Sequence, residues 1–215
     1  MINRRLLRHG GRAAAALLGA GACFLGGCAT TAVNAEWTDP QFAGRSLRGE
    51  RVLVVCDAND TAVRRICRDQ LAAQVAAAGA TPVSGPETAD LTAGPPPAND
   101  KTLAAARRAG AKAILAATVA PDATVVSGGS GISFGVGGFG GSGGGVSGGG
   151  VGVGIPIGGG QVETAYGANI GLTDVATVRL MWTSKVTAPP SRNINGQLGE
   201  IAKVGIGAAR SAGFF

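Results

Sequence analysis

The chain holds four cysteines and one histidine, the side chains best suited to nucleophilic and metal chemistry. Cys56 and Cys67 lack the C-x-x-C redox spacing. The histidine, His9, lies in a basic leader, so no imidazole remains downstream to activate a thiol or a hydroxyl. Gly135, Gly137 and Gly140 match the spacing G-x-G-x-x-G, but a dinucleotide loop must follow a first strand and open a helix. Here the match sits in a run, from Gly128 to Gly160, in which more than half the residues are glycine, and the run contains no lysine for a Walker-type loop. Asp57, Asp60 and Asp69 are close acids at the start of a helical segment, and a helix cap and an exposed helix face account for two of them. These residues predict no catalytic centre, no metal cluster and no nucleotide or other cofactor.

A different chemistry is written at the amino terminus. Arg4, Arg5, Arg8 and Arg12 precede an apolar stretch from Ala13 to Leu25 that is short for a bilayer span, which is the build of a signal peptide rather than of a transmembrane anchor. The stretch ends in Leu25, Gly26, Gly27, Cys28. That run resembles the lipobox of bacterial lipoproteins, and the resemblance implies cleavage before Cys28 and lipidation of its thiol. Two or three acyl chains on one cysteine meet or exceed the two-chain requirement for stable anchoring. With Ala29 rather than Asp next to the lipid site, the resemblance further implies the outer membrane, facing the periplasm. The domains expected are a signal peptide over residues 1–27, a tether over 28–48 and a single domain over 49–215 with an insertion at 128–160.

Removing the leader changes what the charge means. The formal net charge of +6 includes four leader arginines and no leader acids, which leaves +2 for the remainder. A near-neutral chain with scattered Lys and Arg does not predict a nucleic-acid partner, which would need a localised basic patch. With Cys23 in the leader and Cys28 modified, Cys56 and Cys67 are an even pair in an oxidising compartment. Cys56 ends the apolar run "RVLVVC" and Cys67 shares a helical stripe with Val63, Leu71 and Val75, so a bond between strand end and helix face is expected. Two separate buried thiols are the alternative.

The elements that hold these residues follow from periodicity. "RVLVVC" reads as a strand covered on both faces. Asn59 or Asp60 caps the next helix, which stops at Gly79. "ATPVSG" is a short strand whose Pro82 places it near an edge, and "LTAGPPPAND" is a stiff exposed loop. Asn99 or Asp100 opens the helix "KTLAAARRAG", and "AKAILAATVA" is a third buried strand. Strand, helix, strand, helix, strand predicts a partly parallel sheet with helical crossovers. Later, "VETAYGANIGL" and "VRLMWTSKV" alternate with period two and form a hairpin through "TDVAT", with Val178, Leu180, Trp182 and Val186 opposite Arg179, Thr183 and Lys185. The last segment places Leu198, Ile201, Ala202, Gly205 and Ala209 on one helical stripe. The expected class is α/β (α+β), with a mixed sheet of about five strands and a C-terminal helix.

The strand "RVLVV", the phrase "ARRAGAKAILAATV" and the hairpin "LTDVATVRLMW" resemble the small α/β domain of the TolB amino-terminal domain and of envelope lipoproteins such as the CsgG curli-secretion protein. In that family a late strand pair carries an acid, a turn and an aromatic, places taken here by Asp174, Thr177 and Trp182. Val178 stands where the usual turn glycine would be. The resemblance transfers no catalytic residue. It implies self-association or an envelope protein partner, and membership of an oligomeric outer-membrane export pore as the rival to an adaptor role. The glycine tract reads either as a loose loop or as a hairpin ribbon extending the flanking strands, with Ile132, Phe134 and Val136 alternating on one side and Val151, Val153, Ile155 and Ile157 on the other. The function expected is that of a lipid-anchored periplasmic binding or adaptor lipoprotein without catalysis.

Overall fold

The computed structural model describes residues 30–85, 100–127 and 161–215. Ten elements run in the order β1 (Ala32–Thr38), a 3-10 turn (Pro40–Phe42), β2 (Arg51–Asp57), α1 (Thr61–Ala77), β3 (Thr81–Ser84), α2 (Asp100–Arg108), β4 (Ala113–Ser127), β5 (Gln161–Asp174), β6 (Leu180–Thr187) and α3 (Ile194–Ser211). The strands form one six-stranded mixed sheet, ordered β1-β6-β5-β4-β2-β3. β2 is parallel to β3 and β4, and the remaining pairs are antiparallel. The expected α/β class, the β-α-β-α-β start, the late hairpin and the C-terminal helix are all present.

The sixth strand corrects the expected tether. Residues 32–38 lie along the free edge of β6, from Ala32 opposite Thr187 to Thr38 opposite Trp182. The segment has no apolar run to announce a strand. Its order comes from contacts with a distant partner: the Trp182 indole N–H donates to Glu36 (2.8 Å), and the Thr187 hydroxyl bonds the Asn34 side chain (2.9 Å).

The parallel crossovers explain how the layers form. β2 to β3 runs one way across the sheet and β3 to β4 runs back, so right-handed connections place α1 and α2 on opposite faces. Accordingly Val52, Val54 and Cys56 pack with α1, α3, Leu115 and Trp182 in the main core, whereas Leu53, Val55, Ile114 and Ala116 meet Leu103 and Ala106 of α2 in a smaller one. β2 is therefore buried on both faces, as its unbroken apolar run requires.

Local signals set the boundaries. Asp60 caps α1, its carboxylate accepting from the N–H groups of Ala62 (2.7 Å) and Val63 (3.0 Å). The helix buries Val63, Cys67, Leu71 and Val75, the expected stripe. α3 buries Leu198, Ile201, Ala202, Gly205 and Ala209 as expected, and Gly205 is there because a Cβ would fall 2.4 Å from Ile170 Cδ1. β3, with Pro82, forms one edge of the sheet.

β4 and β5 stay paired well past the rest of the sheet. Ala120 opposes Gly167, which in turn opposes Thr187 of β6, yet the β4–β5 register continues to Ser127 opposite Gln161. Six further residues of β5 add about 20 Å of two-stranded ribbon at 3.3 Å per residue. The glycine tract, including Gly135, Gly137 and Gly140, and the leader with Cys28 lie outside the described residues.

Candidate functional site

Three sets of residues bear on function. The first, Cys28, lies outside the described residues; β1 begins at Ala32, four positions after it in the sequence.

The second set is Cys56 and Cys67. Cys56 closes β2 on the main-core side, and Cys67 faces it from the buried stripe of α1. The two form a disulfide with a Cα–Cα distance of 6.1 Å across a sequence separation of 11. Both cysteines are buried in the main core. In the loop-entropy description a closure of this length contributes about 2–3 kcal/mol by restricting the unfolded chain. The bond consumes both thiols, so its role is structural.

The third set was not legible as a site in the sequence. It gathers at the end of the sheet where β5 turns into β6, beside the 3-10 turn. Asp174 is 1% exposed. Its carboxylate accepts from the Thr177 N–H (2.8 Å) and hydroxyl (2.7 Å), and Arg45 Nη2 approaches its other oxygen to 2.8 Å. Thr177 thus closes the turn on Asp174, which gives the acid and turn picked out in the sequence a physical role. Trp182, the aromatic of that set, is fully buried and bonds Glu36 instead.

Around this turn a second carboxylate is tied to a second guanidinium. Asp39 caps the 3-10 turn through the Gln41 N–H (2.9 Å) and pairs with Arg179 Nη2 at 2.6 Å, while Arg179 also donates to the Gln41 side chain. Both guanidiniums lie over the Phe42 ring, Arg45 at 5.5 Å and Arg179 at 5.6 Å from its centroid. These are cation–π distances. The only cue in the sequence was Asp39-Pro40, a cap followed by proline at the first helical position. The pairing with Arg179 spans 140 residues and has no local signal.

Val178 departs from its expected place. The alternation put it on the inner face of a strand, but it occupies the turn with φ of 57° and is 39% exposed. The β-strand begins at Leu180, and a register shift between Leu172 and Thr173 brings Leu180 opposite Thr173. A β-branched residue in the left-handed region is an outlier.

Among the described residues no three His, Cys, Asp or Glu side chains come together as metal ligands. Asp60 is committed to its cap and Asp69 is exposed beside Arg68. Asp57 lies 3.7 Å from Arg64 Nε. The arrangement holds carboxylates in ion pairs and caps, which positions backbone and guanidinium groups.

No family model matches the chain, and no curated protein matches it. Among solved structures it is similar to the PelC dodecamer from Paraburkholderia phytofirmans, with 14% identity over 81% of this chain and 96% of that chain at a TM-score of 0.46. It is also similar to the lipoprotein GNA1162 from Neisseria meningitidis, with 16% identity over 75% of this chain and 99% of that chain at a TM-score of 0.42.

Proposed function

We propose that the protein is a lipid-anchored lipoprotein of the bacterial envelope, attached through Cys28 and working by binding rather than by catalysis. The observation that carries this reading is the order Arg-rich leader, apolar run, Leu25-Gly26-Gly27-Cys28, followed at once by an edge strand. Four residue steps from Cys28 to Ala32 span at most about 14 Å, so the anchor would hold the sheet close to the bilayer instead of on a long leash. Ala29 supports the outer membrane as the destination, with the domain in the periplasm. Paired and capped carboxylates, together with a histidine confined to the leader, support the reading as a binding protein or adaptor of an envelope assembly.

The test is fractionation of the full chain and its Cys28→Ala form. The unsubstituted protein is expected in the membrane fraction and the variant in the soluble fraction. Equal membrane retention of the two forms overturns the assignment.

A second reading has one observation in its favour. The β4–β5 ribbon projects from the end of the sheet at which β1 begins, which is the end the anchor would hold to the membrane. That placement suits a subunit of an oligomeric outer-membrane export pore resembling CsgG, in which the ribbon would meet lipid or a neighbouring subunit. Light scattering on the gently solubilised lipoprotein, with the detergent mass subtracted, separates the two. A large closed multimer selects the pore subunit, and a monomer or dimer selects the adaptor.

A further inference from the structure

The pole of the sheet opposite the start of β1 carries a feature that neither reading uses. Along β4 it lies seven residues from the Ala120 row, about 23 Å at 3.3 Å per residue. There an open pocket of about 360 Å³ is lined by Arg45, Arg107 and Lys112, with Asp174 as its one carboxylate and small residues such as Gly110 and Ala176 between them. The three cations come from three places: the loop after the 3-10 turn, the last turn of α2 and the start of β4.

The charges do not cancel. Asp174 is buried and already engaged by Arg45 and by both donors of Thr177. Among the described residues neither Arg107 nor Lys112 has an ion-pair partner. Arg107 complements the carboxyl end of α2, but Lys112 has no such role. Arg45 is held on two sides, by Asp174 and by the Phe42 ring, so its guanidinium is positioned before any ligand arrives. A guanidinium fixed in place loses little side-chain entropy on binding, and forked N–H donors suit planar or tetrahedral oxyanions.

We propose that this pocket binds the carboxylate or phosphate group of a ligand in the aqueous phase, with Arg45, Arg107 and Lys112 as its donors. An oxyanion there meets an excess of two positive charges over the buried carboxylate. The same chemistry could be offered by an anionic lipid headgroup, but the pocket lies at the pole away from the start of β1.

The probes are citrate and pyrophosphate, titrated into full-length lipoprotein in phosphatidylcholine nanodiscs while the arginine Nε–H resonances are followed. Saturable shifts at Arg45 and Arg107 are expected. The exposed pair Arg107→Gln and Lys112→Gln should weaken binding about tenfold or more with the fold unchanged by circular dichroism. An equal double substitution elsewhere, Arg192→Gln with Lys203→Gln, should leave binding as it was. The Cys28→Ala form should bind equally well, so failure of the anchor and failure of this site are read separately. Non-saturating shifts spread over all exposed arginines overturn the proposal, as does equal binding by the Arg107/Lys112 variant. Competition from phosphatidylglycerol discs in the anchored protein would overturn the aqueous source.

Discussion

Val178 shows what the rest of the molecule imposes on one side chain. Valine pays a steric cost at φ of 57° that glycine does not, because its Cβ crowds the following carbonyl. The turn nonetheless holds, closed by Asp174 through Thr177 and by the Val178 N–H donating to the Asp174 carbonyl at 2.9 Å. Val178→Gly should therefore raise stability by about 0.5–1 kcal/mol, the left-handed strain relieved minus the extra freedom of glycine in the unfolded chain. Chemical denaturation measures it, and a loss of stability would mean that the exposed isopropyl group has a packing role.

At the scale of elements, the sequence was legible wherever periodicity met a stop signal. α1 showed its stripe, its Asp60 cap and Gly79, which has φ of 91°. β2 showed an unbroken apolar run and α3 a stripe through its glycines. β1 was not legible, because Ala32–Thr38 is ordered by β6, more than 140 residues later. The same reason hid the Asp39–Arg179 and Arg45–Asp174 pairs: an ion pair made by tertiary approach leaves no local pattern. α3 offers a direct comparison of two glycines. At Gly205 a side chain must displace Ile170, whereas at Gly207 nothing lies within 4 Å. Gly205→Leu should lower stability by about 1–3 kcal/mol through overpacking, and Gly207→Ala should raise it by about 0.5–1 kcal/mol through helix propensity. Thermal melts of the two variants check both signs, and a stabilised Gly205→Leu would show that α3 does not pack as closely as described.

The whole molecule has two unlike poles joined by a doubly covered centre. At one, β1 begins and the β4–β5 ribbon extends; at the other, buried carboxylates fix two arginines over Phe42 and a cationic pocket opens. No helix among the described residues is long and apolar enough to cross a membrane. In the proposed reading the lipid at Cys28 orients these poles. The most direct measurement is the intact mass and amino-terminal peptide of the protein extracted from membranes. The expected result is a chain that begins at Cys28 and carries a thioether-linked diacylglyceryl group, with or without a third acyl chain on its amine. A chain that retains residues before Cys28, or an unmodified Cys28 in the membrane-bound protein, would contradict it.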